Sequence, residues 1–166
     1  KCHKIQLSQS TIENILRRRG GKLHAYDNII PNKTALIVID MQNIWLQEGM
    51  DFYSPYCAGV APVINKLCKA IRATGGHVYW LRAIYGDDAP KNWSTFMQYL
   101  NPKDTGGMLR GLTNGNPLAN IWHGMDVQPE DVIINKNRFS AFIQGSSNLE
   151  ERLSAAGKDT LIITGI

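Results

Sequence analysis

The sequence predicts an α/β fold, a parallel sheet with helices on both faces. Three observations carry that prediction. Four short segments, at 34–40, 77–84, 131–136 and 159–164, are rich in Val, Ile and Leu and run largely apolar without alternation, as strands do when both faces of a sheet are covered. Stretches with helical spacing lie between them, and an alternation of strand and helix builds βαβ units. Charged residues end the first and third of these strands, Asp40 and Lys136, which suits a sheet whose carboxyl edge opens into a ligand crevice.

The elements follow in chain order. Residues 10–19 (STIENILRRR) are expected to form a helix, with Ser10 or Thr11 as its cap, Glu13 early in its first turn and Gly20-Gly21 closing it. A polar connection through Asn28 and Pro31 leads to the first strand. Val60, Val63, Ile64, Leu67, Cys68 and Ile71 then recur at helical spacing and stop at Gly75-Gly76, which predicts an amphipathic helix packing one face. The second strand, HVYWLRAI, follows directly. From Gly86 to about Gly115 the chain is rich in Asp, Asn, Gly and Pro, and such a stretch inside a compact domain predicts a functional loop or lid, here with one short helix near 93–100. The third strand, a helix over 147–156 with Glu150 and Glu151 near its start, and the fourth strand complete the series. No internal repeat or low-complexity tract interrupts it.

Composition narrows the function classes. A chain of 166 residues with 43% hydrophobic residues can bury one core and holds one domain of ordinary size. Its formal charge of +4 comes partly from Arg17-Arg18-Arg19, a local solvated cluster and no nucleic-acid groove. No apolar run approaches the ~18 residues that span a bilayer, and the first twenty residues lack the apolar core of a signal peptide. Membrane and nucleic acid are therefore not expected partners. Cys2, Cys57 and Cys68 show no ligand spacing and leave an odd thiol if two pair, which fits a reducing, cytoplasmic compartment. Cys68 falls on the apolar face of a helix and reads as inert packing. Cys57 falls in a Tyr/Pro loop and Cys2 in a loose terminus, where either thiol is a candidate for exposure.

Asp40 and Lys136, at the carboxyl ends of their strands, should project into one crevice. On the residues alone they are either a structural ion pair or a reacting pair. A phosphorylatable receiver domain also has an aspartate and a lysine at strand ends, but it expects an acidic pair after the first strand and another aspartate at the end of a later one. DMQN and WLRAIYG supply neither.

Three stretches together resemble one known family: TALIVIDMQNIW at 34–45, GNPLANIWHGMDVQPEDVIINKNRFSAF at 115–142 and TLIITGI at 160–166. They resemble the isochorismatase-like cysteine hydrolases, and within them the ureidoacrylate and biuret amidohydrolases and their N-carbamoyl-amide relatives. The resemblance implies a doubly wound sheet and an Asp, Lys, Cys triad, with Asp40 matching the general base and Lys136 its partner. It implies hydrolysis of a C–N bond in a small linear amide or ureido compound through a thioester, without a cofactor, by a homo-oligomer. In the family the nucleophilic cysteine comes a few residues after the TGI-like strand end, so the expected domains are an N-terminal helical extension over 1–30 and a hydrolase domain over 31–166 that is incomplete at its C-terminus. The apolar fourth strand, with no cover beyond it, carries the same expectation.

Substrate contacts follow from the same resemblance. Asn43 and Trp45 are expected in a loop over the crevice, Tyr85 just past the second strand, and Arg138, Phe139 and Phe142 past the third. Each aromatic has a packing alternative. Arg138 either holds a carboxylate or ureido oxygen or faces solvent. No metal is expected: the Asp-x-His zinc motif of some relatives is missing from AIYGDDAPKNW at 83–93, and His3, His24, His77 and His123 are scattered. Two alternatives remain, an enol-ether hydrolase in which the thiol is dispensable and a homologue without the nucleophile that acts as a binding or assembly module.

Overall fold

The strands β1 (Thr34–Ile39), β2 (His77–Ala83), β3 (Val132–Lys136) and β4 (Thr160–Gly165) pair in parallel in the order β3-β2-β1-β4. The computed structural model describes residues 6–26, 28–86, 89–99 and 102–166, except the side chains of 97 and 102–105. Between β1 and β2 the chain runs through α2 (Asn43–Leu46) and α3 (Pro55–Ala73), and between β3 and β4 through α7 (Leu149–Ala155). The segment joining β2 to β3 carries α4 (Ala89–Asn92), α5 (Ser94–Tyr99) and α6 (Pro102–Gly111), and α1 (Gln9–Arg18) precedes the sheet.

Burial on two sides explains the unalternating sequences of β1 and β2, whereas β3 and β4, expected to be buried on both faces as well, alternate and expose Ile133, Leu161 and Ile163. Leu36 and Val38 of β1 pack with Val78, Trp80 and, from α3, Ala61, Ile64 and Cys68. Their chain neighbours Ala35 and Ile37 pack on the other face with Tyr79, Leu81, Ile134 and, from α7, Leu149 and Leu153. The β1-to-β2 and β3-to-β4 crossovers thus cover opposite faces, and β1 lies between β2 and β4 where the winding reverses. At this switch point an open α/β sheet leaves a crevice beyond its carboxyl edge.

Local structure departs from the sequence expectation in several places, each with a physical cause. Helix α1 is capped by Ser8, whose Oγ accepts from Thr11 N–H at 3.2 Å, and not by Ser10 or Thr11. Cys57 lies in the first turn of α3, where Ser54 caps its N–H, and not in a loop. Val60 and Val63 are exposed, because α3 is rotated so that Ala61, Ile64 and Cys68 face the sheet. The rotation brings Asn65 and Arg72 onto the segment before β3: Asn65 bonds Gly124 O and Asp126 N–H, and Arg72 bonds Asp126 and Asp131. The expected loop over 86–115 is largely helical. Pro102 sits at the start of α6, where a missing N–H costs nothing. Gly111 lies against Ile44, whose Cδ1 would stand 2.7 Å from an added Cβ. Those residues read as breakers only because their neighbours are invisible in the sequence.

Candidate active site

The main chain leaves the sheet abruptly at Asp40, which has φ +54° and was expected to be the last residue of β1. Its N–H still donates to Leu81 O at 3.0 Å, while its own carbonyl accepts from Gln42 N–H at 2.7 Å. A non-glycine residue in the left-handed region is uncommon, and the surroundings must hold it there. Lys136, the last residue of β3, is buried. It reaches across β2 and donates from Nζ to Asp40 Oδ2 at 2.8 Å and to Arg138 O at 3.3 Å. The crevice expected from the sequence therefore exists, and the two charges meet in it.

The electrostatics of the pair are unequal. Burial pushes the Asp40 carboxyl above its ordinary value, and the charge and hydrogen bond of Lys136 offset only part of that. The Ala83 N–H adds a smaller lowering effect, but its hydrogen bond runs to Gln42 Oε1 at 2.8 Å. Asp40 Oδ1 is buried and has no hydrogen-bond partner among the described residues. One oxygen is thus clamped, and the other is an acceptor in an enclosed place, as a general base requires.

The remaining predicted residues surround this pair unevenly. Tyr85 is buried beyond β2. Burial and then the negative Asp40 push its phenol up to about 12. Asn43 and Trp45 lie on the single turn of α2 and not in a loop; Asn43 Nδ2 donates to Pro117 O at 2.8 Å, and both Asn43 Oδ1 and Trp45 Nε1 are buried without a partner among the described residues. The Arg138 guanidinium donates to Asn137 O, Asn137 Oδ1 and Asn92 O and stands 5.7 Å over the Trp93 ring. Phe139 is exposed but packs edge-on against Trp93 and Phe96, each at 4.6 Å. Phe142 lines, with Phe139, Ile39, Leu81 and Lys136, a cavity of about 170 Å³ on the α7 side of the sheet. Another cavity, about 500 Å³, is lined by Tyr26, Ile29, Ile30 and Thr160 at the opposite end of β4 and lies away from this pair.

Two features beside this pair escaped sequence reasoning. Gln42 is fully buried and bonded on every side; the only signal was a polar residue directly after a buried strand. The short helix expected near 93–100 forms as α5, but the stacking of Trp93 on Phe96 at 4.1 Å was not foreseen. Neither described cysteine enters the crevice. Cys68 is fully buried under α3, where burial pushes its thiol up to about 11, and Cys57 is half-buried at the start of that helix. Cys2 and His3 lie outside the described residues. Among the described residues no three of His, Cys, Asp and Glu gather into a metal site.

Known proteins resemble this chain in sequence and in fold. A family model described as the isochorismatase domain matches residues 34–166. An N-carbamoylsarcosine amidase of Arthrobacter sp is 32% identical over 138 residues, covering 81% of this chain and 49% of that protein. A ureidoacrylate amidohydrolase of Pseudomonas savastanoi pv. phaseolicola is 29% identical over 151 residues, covering 82% of this chain and 60% of that protein. Among solved structures, a cysteine hydrolase from Pseudomonas syringae pv. phaseolicola superposes with a TM-score of 0.69 at 28% identity, over 83% of this chain and 61% of the other. The chain thus spans about half to three-fifths of the length of the curated relatives it matches.

Proposed function

The chain belongs to the isochorismatase family, and from that premise we propose that the whole protein is a cysteine-dependent amidohydrolase. It cleaves a C–N bond of a small linear amide or ureido compound. Asp40 serves as general base and Lys136 as the cation that holds it. The observation that carries this reading is the divided carboxylate: Oδ2 bound by Lys136 at 2.8 Å, Oδ1 buried and unpartnered among the described residues. Relatives named as amidases of carbamoyl and ureido compounds support the substrate class.

In this proposal the nucleophile is a thiol carried beyond Ile166. Ile166 N–H donates to Ile39 O at 3.1 Å, so a residue leaving β4 emerges beside Asp40. Asp40 accepts the thiol proton and the thiolate forms a bond to the substrate carbonyl carbon, whose π electrons move to oxygen. When that oxyanion collapses, the C–N bond breaks and nitrogen leaves with the proton from Asp40. Asp40 then takes a proton from water, the hydroxide attacks the thioester, and the C–S bond breaks to return the thiol. Lys136 keeps Asp40 anchored throughout and favours negative charge in the crevice. No metal or cofactor takes part. The reading extends to a small-molecule partner only, to a cytoplasmic protein, and to assembly with further copies through surface such as the exposed Leu161 and Ile163 of β4.

The test is kinetic and chemical on the full-length protein. With N-carbamoyl amino acids and ureidoacrylate as substrates, Asp40→Asn and Lys136→Ala are each expected to lower kcat by roughly 10²–10⁴-fold. Iodoacetamide is expected to inactivate through one fast thiol beyond Ile166 while Cys68 stays unlabelled. Turnover that survives both substitutions, or the absence of a fast thiol in an active protein, overturns the proposal; the second result favours the enol-ether reaction.

A further inference from the structure

Where β1 ends, its ladder to β2 should end too, yet Ala83 keeps both main-chain bonds on that side. After the Asp40 N–H to Leu81 bond, the next link of a parallel ladder would run from Ala83 N–H to the Asp40 carbonyl. That carbonyl has turned away with the positive φ of Asp40 and accepts from Gln42 instead. Ala83 N–H donates to Gln42 Oε1 at 2.8 Å. Gln42 Nε2 donates to Ala83 O at 3.0 Å and to Ala119 O at 2.8 Å. A side-chain amide has the same donor and acceptor as a peptide group, and here it takes the place of one.

We propose that Gln42 is a positioning residue of the crevice: its amide replaces the peptide link that β1 gives up at Asp40, and thereby keeps Asp40 and Lys136 at bonding distance. Ala83 connects the two. It is the register partner of Lys136 across β2 and β3, so the residue that Gln42 grips is the one beside which Lys136 is mounted. Asp40 and Lys136 stand two strand spacings apart, about 10 Å between main chains, and only a long side chain held at both ends bridges that gap at 2.8 Å. Gln42 N–H also donates to the Asp40 carbonyl that has turned away from the ladder. The amide therefore supports the base from the main-chain side and the lysine from the β2 side.

The kinetic consequence rests on the proposed function, whereas the structural one does not, and the experiment separates them. In the full-length protein, Gln42→Met keeps the length and removes the polar atoms, and Gln42→Glu keeps the acceptor and, when protonated, one donor. The substrate-free readout is the carboxyl ¹³C NMR titration of Asp40; the charged or titratable groups facing it, Lys136 from β3 and Tyr85 after β2, are retained in both variants. For Gln42→Met the titration midpoint of Asp40 is expected to move by about half a pH unit or more, and kcat to fall about 100-fold with KM within about threefold. For Gln42→Glu the parental titration and kcat are expected only at pH values where the introduced acid is neutral, because its carboxylate would face two carbonyl oxygens. Folded Gln42→Met with parental titration and kcat overturns the proposal. So does Gln42→Glu that behaves as the parent at every pH. Failure of both variants to fold also overturns it, since Gln42 would then determine the fold and not a position. A parent without amidase activity, together with the expected shift in Gln42→Met, counts against the proposed function alone.

Discussion

At Asp40, burial and the neighbouring lysine act in opposite directions, and burial wins. The folded value lies above 3.8, so protonation starts at higher pH in the folded protein than in the unfolded chain. Ionised Asp40 therefore costs the fold stability above its folded value, and that cost disappears as pH falls to the unfolded value and below. Activity runs the other way, because only the ionised carboxylate accepts a proton. The acid limb of kcat/KM is expected to lie above pH 3.8 and within the range where far-UV circular dichroism still reports a native fold. Loss of activity and of ellipticity at the same pH would contradict this assignment. Residue identity alone pointed to Asp40 and Lys136, since charges at the ends of buried strands have few places to go. It could not show that Arg138, named as a ligand for substrate oxygens, already has three acceptors and an indole face as partners.

The behaviour of α3 shows what an element's pattern leaves open. Apolar spacing identified the helix, but the face it buries is set by Arg72 and Asn65 as much as by its aliphatic residues. Arg72 binds both carboxylate oxygens of Asp131 at 2.9 and 2.6 Å, and Trp80 Nε1 and Gln128 N–H add two more bonds to Oδ2. Burial alone would raise the Asp131 carboxyl; these hydrogen bonds outweigh it and hold the value below the ordinary one. Asp131 thus contributes stability that is present above pH 3.8 and lost as pH falls through its folded value. Asp131→Ala leaves the guanidinium, an indole N–H and a main-chain N–H without their acceptor. Because the Asp131 side chain is 1% exposed, the substitution is expected to cost about 3–5 kcal/mol in urea unfolding. A loss below about 1 kcal/mol would mean that water replaces the carboxylate and that the network does not orient α3. A motif scan passes over this pair because Asp131 lies 59 positions from Arg72.

The whole molecule depends on how closely β4 approaches β1. Gly165 pairs with Ile39 at φ +119°, and an added Cβ would stand 2.2 Å from Ile39 O and 2.5 Å from Ile39 N. Main-chain atoms cannot yield as a side-chain tip can, so Gly165→Ala is expected to push the end of β4 away from Asp40. Activity of the full-length protein should fall by at least about tenfold, with a lowered Tm; parental activity would show that the approach is not needed. The sequence by itself determined the strands, the two-sided burial of the central pair β1 and β2, the parallel α/β class and the meeting of two strand-end charges. Apolar runs and strand-end charges are local statements about which side of an element meets the core. Strand order, the rotation of α3, the helical segment after β2 and the substitution of a Gln42 amide for a main-chain link were decided only in the tertiary structure. Each depends on the partner a polar group or glycine finds across the fold, and a hydrogen bond is specified by two residues that the chain brings together only after it has folded.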